Sequence, residues 1–135
     1  MQEKIYIDKI AFLEIQDRKV LETKTKGRDV WYIPGGKPEA GENHHETLIR
    51  ELKEELSIDI ILESIEACGV FEAVAHGKPE GTYVRMHCYK ALYRGTLQPS
   101  SEIEAYDWFD MSRINETSPV DKVIFKSLSA QGLID

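Results

Sequence analysis

The chain has 135 residues, 41% of them hydrophobic and 30% charged, which is the composition of a soluble globular protein. Its net charge of -7 disfavours nucleic acid polymers as partners, because proteins that bind them use a basic surface to neutralise phosphates. A small phosphate-bearing substrate is compatible with this charge only if cations screen it from the acidic side chains.

The N-terminal stretch and the two cysteines predict a cytoplasmic protein. Asp8 and Lys9 interrupt the first apolar stretch, so we expect no secretory signal, and no segment has the length of a membrane span. Cys68 and Cys88 lack the spacing of metal ligands, which favours reduced thiols over a disulfide or a zinc site. We expect one domain over residues 1–135 that folds without a structural metal.

The first half of the chain predicts short strands followed by a helix. Residues 4–15 and 20–24 are rich in apolar residues and flank a polar break, which predicts a hairpin. Residues 30–33 predict a short buried strand that ends at Pro34-Gly35-Gly36. Residues 43–56 predict the best-defined helix, because Asn43 and Glu46 have the spacing of a capping pair.

The second half predicts a long hairpin and a second helix. The extended stretches 65–75 and 82–93 flank a loop at 76–81 that contains glycine and proline. A further strand is expected near 105–109, and Ser118-Pro119 predicts the start of a helix that ends near Gly132. The fold class is therefore α+β, mostly sheet, with two main helices packed on it.

Three carboxylates share one surface of the first helix. Glu51, Glu54 and Glu55 stand at positions i, i+3 and i+4, whereas the leucines of the same helix form a separate apolar stripe. A row of glutamates is most often a solvated helix face. That interpretation is weakened because like charges one turn apart repel, and because Pro34-Gly35-Gly36 lets backbone carbonyls approach an ion. Oxygen ligands of this kind suit Mg²⁺ or Mn²⁺.

The spacing of these residues resembles the signature of the Nudix hydrolase family. The signature extends over 23 residues with fixed intervals, and its specified positions are Gly36, Glu42, Arg50, Glu51, Leu52, Glu54, Glu55 and Ile58. Ser57 stands where the family pattern has glycine, near the helix end, where a left-handed residue often ends the last turn. The resemblance implies an α/β/α sandwich built on a mixed sheet.

The resemblance also implies an activity, namely hydrolysis of a phosphoanhydride bond in a nucleoside diphosphate linked to another moiety, with Mg²⁺ or Mn²⁺ as cofactor. The metal ligands implied by position are the Gly35 carbonyl, Glu51, Glu54, Glu55 and Glu102, with Glu104 as the alternative to Glu102. The implied catalytic residues are Glu51, Glu54 and Arg50, and the resemblance leaves open which carboxylate is the base. Glu42 is expected to orient Arg50.

Substrate and assembly are less specified. The region 73–75 has neither the proline of ADP-ribose hydrolases nor the tyrosine of dinucleoside polyphosphate hydrolases, which leaves nucleoside triphosphates as the first guess. Trp31 and Tyr32 point to opposite faces of a strand, so at most one can stack on a base. Lys37 follows the glycines and either contacts phosphate or is solvated. A homodimer remains open, and so does a binding or sensor module that keeps this fold without catalysis.

Overall fold

The structure, a computed structural model, describes residues 3–75 and 77–135. His76, in the loop predicted between the two long strands, lies outside the described residues. The strands in the described part are β1 (Ile5–Phe12), β2 (Ile15–Gln16), β3 (Lys19–Thr25), β4 (Trp31–Tyr32), β5 (Gly35–Gly36), β6 (Asp59–Ile60), β7 (Glu66–Val74), β8 (Thr82–Lys90), β9 (Tyr93–Arg94) and β10 (Ile103–Phe109). The α-helices are α1 (His44–Leu56) and α2 (Pro119–Ala130).

The main sheet has the order β5-β1-β8-β7. Strand β1 runs parallel to β8 and antiparallel to β5, while β7 and β8 form the predicted long hairpin. The sheet is therefore mixed, as the sequence predicts. Because β5 consists of Gly35 and Gly36, its pairing with Ala11 and Ile10 fixes the glycine loop at the edge of this sheet.

The predicted N-terminal hairpin is wrong in its first strand. The hairpin forms only between β2 and β3, with Asp17 and Arg18 in the turn at positive φ. Strand β3 pairs with β10 and β4 in a second sheet, whereas β1 belongs to the main sheet. The apolar alternation of residues 4–15 indicates a strand, but it does not contain the identity of a partner that is distant in sequence.

The two helices cover opposite faces of the main sheet. Successive side chains of β1 point to opposite sides, so that Ile10 and Phe12 pack with the leucines of α1, and Ala11 packs with the apolar face of α2. This arrangement confirms the predicted α/β/α sandwich. None of the helices in residues 3–75 and 77–135 has the length and hydropathy needed to cross a membrane.

Helix α1 begins and ends at the residues that the sequence predicts. The Asn43 side chain accepts from the Glu46 amide at 2.8 Å, and Glu46 accepts from the Asn43 amide at 3.0 Å, which completes a capping box. Ser57 ends the helix in the left-handed conformation, with φ 60° and ψ 29°. The chain therefore keeps the backbone that glycine favours although a serine occupies the position. Cys68 is half-buried and Cys88 is buried, and both are free thiols in the structure.

Candidate metal-binding and catalytic site

The acidic face of α1 lies directly against the glycine loop. Glu55 is buried, and its Oε1 accepts a hydrogen bond from the Gly35 amide at 3.1 Å. The Glu51 carboxylate occupies the space beside Gly36, where an added Cβ would lie 2.5 Å from its Cδ. Gly35 has φ 144°, and a Cβ there would collide with the Ile10 carbonyl oxygen. Both glycines are therefore required by the close approach of helix, loop and strand.

Arg50 joins the carboxylates of the helix to the loop. Its Nε and Nη2 donate to the two oxygens of Glu42 at 2.6 and 3.0 Å, and Nη2 also donates to the Lys37 carbonyl at 3.1 Å. Its Nη1 donates to Glu51 at 2.9 Å and lies 3.4 Å from Glu54. The guanidinium pairs bidentately with Glu42, which has the position expected for a residue that orients Arg50.

Arg50 does not pair with Glu46, although Glu46 stands one turn before it on the same helix. Glu46 instead completes the capping box with Asn43 at the start of α1. Arg50 extends toward the loop, where Glu42 offers two oxygens in the fork geometry that a guanidinium prefers. The cation is therefore directed to the glycine loop rather than along the helix surface.

The carboxylates repel one another in a partly dry environment. Burial, together with the charges of Glu51, Glu102 and Glu54, raises the pKa of Glu55 to about 8 against the hydrogen bond from Gly35. Burial also raises the pKa of Glu51, whereas Arg50 lowers it. Glu54 is more exposed, with 52% of its side chain accessible. A divalent cation between these groups would relieve the repulsion and favour their charged forms.

The structure brings Glu102 to this cluster and directs Glu104 away from it. The charge of Glu102 acts on both Glu51 and Glu55, raising the pKa of each. Glu104 pairs with Lys24 at 3.5 Å on the second sheet. A hydrogen bond from Ser101 lowers the pKa of Glu102, which keeps that carboxylate ionised. Glu102 is accordingly the better-placed of the two predicted alternatives.

The donor set fits a hard divalent ion. Four carboxylates and the backbone of the glycine loop supply oxygen atoms, which are the ligands preferred by Mg²⁺ and Mn²⁺. Within residues 3–75 and 77–135, no three carboxylate, imidazole or thiol side chains already converge in a geometry that could hold a metal ion. Glu51 is turned toward Arg50 and Glu55 toward the Gly35 amide. Rotation of these side chains would be needed to complete a coordination shell.

A cavity of about 330 Å³ opens beside the carboxylates, on the α2 side of the main sheet. Tyr32 lines it, while Trp31 points to the other side of its strand and packs on Phe109 with 5.0 Å between ring centroids. Of the two aromatic residues, only Tyr32 is therefore placed to contact a ligand in this cavity. Lys9 and Lys37 also line the cavity.

The sequence analysis did not predict one buried pair of acidic residues. Glu22 of β3 and Asp121 of α2 are fully buried neighbours, and the Asp121 carboxylate accepts from the Ile33 amide at 2.8 Å. In the described part of the chain, neither carboxyl oxygen of Glu22 accepts a hydrogen bond. Burial and then the charge of Asp121 raise the pKa of Glu22 well above its usual range, so Glu22 carries the proton of the pair. The feature of the sequence that could have revealed this pair is the position of Glu22 within the apolar stretch 20–23.

A comparison with family models matches residues 8–128 to the NUDIX domain. This match covers most of the chain. The chain belongs to the Nudix hydrolase family. The predicted Nudix-type pyrophosphohydrolase and its fold are thereby confirmed at the level of the family, and the carboxylates and glycine loop described above lie within the matched residues.

Individual relatives agree with this assignment. The chain is 30% identical over 138 aligned positions to the uncharacterized Nudix hydrolase YvcI of Bacillus subtilis, covering 96% of this chain and 84% of that protein. It is 30% identical over 94 residues to the putative nudix hydrolase 1 of Caenorhabditis elegans, covering 68% of this chain and 24% of that protein. The alignment thus spans only about a quarter of the longer relative.

A solved structure shows the same fold. The MutT protein of Methanosarcina mazei Go1 matches with a TM-score of 0.74, covering 98% of this chain and 99% of that one, at 19% sequence identity. At this identity the likeness concerns the fold and not the substrate.

Proposed function

We propose that this Nudix domain is a metal-dependent hydrolase of nucleoside diphosphates linked to another moiety, with nucleoside triphosphates as the first substrates to test. The observation that carries the proposal is the cluster of Glu51, Glu55 and Glu102 against the glycine loop. Burial and mutual repulsion raise the pKa of Glu55 to about 8, and a bound divalent cation would lower this pKa and favour the ionised carboxylate. We also propose that the chain is one domain over residues 1–135 and acts on free nucleotides in the cytoplasm.

Each residue has a proposed role. The ligands for Mg²⁺ or Mn²⁺ are the Gly35 carbonyl, Glu51, Glu54, Glu55 and Glu102. Bound divalent ions supply charge neutralisation for the diphosphate and lower the pKa of a water molecule. Arg50 holds Glu51 and the loop in one arrangement through Glu42, which keeps the carboxylates positioned before substrate arrives.

The proton of the attacking water passes to Glu51 or Glu54. Glu51 is half-buried and accepts a hydrogen bond from Arg50 Nη1 at 2.9 Å. Glu54 is exposed, and its contact with the same nitrogen is longer, at 3.4 Å. The pH dependence of activity in Glu51→Gln and Glu54→Gln distinguishes the general base from a metal ligand. Replacement of the base removes the acidic limb of the pH–rate profile, whereas replacement of a ligand lowers the rate at every pH.

The test is a product-resolved screen of nucleoside triphosphates, nucleotide sugars and dinucleotides with Mg²⁺ and Mn²⁺. At least one compound should release a phosphate or pyrophosphate product, and Glu54→Gln and Glu55→Gln should each lower kcat/KM by about 100-fold or more. Glu63→Gln, an exposed carboxylate outside the cluster, is the matched control. Tight nucleotide binding without turnover in either ion would instead indicate a sensor module and would overturn the proposal.

A further inference from the structure

The cavity beside the metal-binding carboxylates is lined by cations although the chain is acidic. The net charge of the protein is -7, yet four of the described residues that line this cavity are positively charged, namely Lys9, Arg28, Lys37 and Lys78. Among the described residues that line the cavity, the only one with a carboxyl side chain is Glu55, one of the proposed metal ligands. A bound divalent ion would offset the charge of that carboxylate, which leaves the cavity strongly positive.

The ion pairing of these four cations differs from that of Lys24, Arg50 and Arg113. Within residues 3–75 and 77–135, none of the four forms a salt bridge, whereas Lys24, Arg50 and Arg113 do. Lys9 is half-buried and lies over the Tyr32 ring, with its Nζ 5.7 Å from the ring centroid. An ammonium that is partly removed from water without a counter-ion is unfavourable, so this position is satisfied best when an anion enters the cavity.

Two of the lysines also repel each other. Ile10 is paired with Gly36 in the antiparallel register of β1 and β5, and Lys37, which directly follows β5, is near enough for its charge to act on Lys9. Like charges that lie close to each other are destabilising. Burial and the charge of Lys37 together lower the pKa of Lys9. An anion between them would remove this repulsion.

The neighbouring buried acids do not neutralise the cluster. Asp121 lies behind the cavity wall, and its carboxylate already accepts a hydrogen bond from the Ile33 amide. Its charge and that of Glu55 act on Lys9, but burial and the charges of Lys37 and Arg28 outweigh them, and the pKa of Lys9 is lowered. Glu22 carries the proton of that pair and is uncharged. Neither residue lines the cavity.

The cations extend beyond the space that a diphosphate needs. Along β1, Ile10 is beside the glycine loop, Lys9 follows, and Ile7 lies three residues from Ile10, about 10 Å at the usual rise of a strand. Lys78 belongs to the loop between β7 and β8, at the Ile5 end of β1. Positive side chains therefore lie both beside the glycine loop, at Lys9 and Lys37, and near the other end of β1, at Lys78.

We infer that the cavity binds a second anionic group, a phosphate carried by the part of the substrate that enters the cleft, in addition to the diphosphate held at the carboxylates. The inference rests on the proposed function for the position of the diphosphate. It makes the substrate class a nucleotide with a further phosphate away from the bond that is cleaved. A compound with an unmodified sugar would leave Lys9 without a counter-ion.

The binding test uses three probes that do not require turnover, measured by calorimetry without divalent ions: the 5′-monophosphate, the 5′-diphosphate and the 3′,5′-bisphosphate of adenosine, with the guanosine series in parallel. The bisphosphate should bind about tenfold more tightly than the monophosphate, and the difference should shrink at high salt. If the 5′-diphosphate binds as much more tightly than the monophosphate as the bisphosphate does, the cations recognise the phosphate chain itself and the inference is overturned. Equal affinity of all three probes, or no measurable binding, overturns it as well.

Variants assign the effect to the cavity. Lys9→Met should fold, because the lysine stem already lies among apolar side chains, and it should reduce the preference for the bisphosphate to less than about twofold. Arg28→Gln, in an exposed loop, is the second variant and should reduce the preference in part. Lys126→Met removes an exposed lysine of α2 outside the cavity and should leave the preference unchanged. A preference that survives Lys9→Met contradicts the inference.

The outcome is independent of the hydrolysis screen. A bisphosphate preference without any turnover would remove the proposed hydrolase function and keep the anion site. Turnover of nucleotides without a bisphosphate preference would keep the hydrolase and remove the anion site.

Discussion

The Asp121 carboxylate of α2 accepts the amide proton of Ile33 at 2.8 Å, one proline before the glycine loop. Through this bond the second helix holds the backbone that leads to Gly35. The Gly35 amide in turn donates to Glu55 of the first helix. The two helices on opposite faces of the sheet are therefore connected through the loop that carries the proposed site.

Removing this anchor should lower both stability and activity. Asp121→Ala leaves the buried Ile33 amide without an acceptor, and we expect a loss of about 1 to 3 kcal/mol in the free energy of unfolding, measured with urea. Asp121→Asn keeps an acceptor oxygen and should lose less. Both losses should exceed that of Asp59→Ala at an exposed position. Equal losses in the alanine and asparagine variants would contradict this role of the carboxylate.

The buried Glu22 should make stability depend on pH. Its pKa in the folded state is raised by burial above the unfolded value, so its contribution is fully present below the unfolded pKa of about 4.3 and is lost as pH rises toward the folded pKa. Gln cannot ionise. The free energy of unfolding of Glu22→Gln relative to the wild type should therefore increase with pH from about 4.5 upward, by at most about 1.4 kcal/mol per unit.

The measurement is a series of urea unfolding curves for both proteins at each pH. Taking the difference between them cancels the opposite contributions of Asp8 and Glu42, whose pKa values are lowered to about 2 by hydrogen bonds from Arg85 and Arg50 respectively. A difference that does not change between acidic and neutral pH would show that Glu22 does not hold its proton in the folded state.

The guanidinium geometry of Arg50 should matter beyond its charge. Arg50→Lys keeps the charge but loses the two-point contact with Glu42 and the simultaneous contacts with Glu51 and the loop carbonyl. We expect kcat/KM to fall by about 10- to 100-fold with a native circular dichroism spectrum. The control is Arg94→Lys, which changes an exposed arginine outside the site. Activity within twofold of the wild type would exclude a positioning role.

Metal binding should strengthen with pH. The pKa of Glu55 is raised by burial to about 8, so in the metal-free protein its stabilising contribution is present at acidic pH and is lost as pH rises toward that value. A divalent ion requires the ionised carboxylate. The rise in Tm on adding Mn²⁺ should thus be larger at pH 8 than at pH 6, and Glu55→Gln should abolish this difference. The same rise at both pH values would argue against Glu55 as a ligand.

The end of α1 provides a prediction about backbone strain. Ser57 has φ 60°, a conformation that is unfavourable by about 1 to 2 kcal/mol for residues other than glycine. Its hydroxyl donates to the Gln98 carbonyl at 3.2 Å on the surface, which recovers little. Ser57→Gly should raise the free energy of unfolding by about 0.5 kcal/mol, whereas Ser57→Val, with a branched Cβ, should lower it by more than about 1 kcal/mol. Thermal or urea unfolding measures both, and a destabilised glycine variant would contradict the strain.

Local signals in the sequence were sufficient for the helices. The capping box of Asn43 and Glu46 and the leucine stripe specify α1, and Ser118-Pro119 specifies the start of α2. Their spacing and the geometry of an α-helix are enough to place Glu51, Glu54 and Glu55 on one face. For this reason the acidic face and its position beside the glycines could be predicted without a structure.

Long-range features could not be predicted in the same way. The parallel pairing of β1 with β8 joins residues more than seventy positions apart, and alternation within β1 does not encode it. A register shift between Ile103 and Ala105 alters how β10 presents its acids, so Glu102 and Glu104 could not be separated from their order alone. The direction of Lys9 into the cavity likewise depends on which face of the main sheet α2 covers.

The order of the elements along the chain has a consequence for synthesis. The whole acidic signature, residues 36–58, leaves the ribosome well before Asp121, which secures the approach to Gly35. A nascent fragment that ends before α2 would contain every residue of the motif, but Asp121 would not yet hold the loop in place. The parallel partner of β1, strand β8, is also synthesised after the motif. The proposed site is thus completed only after α2 has been synthesised and has docked on the sheet.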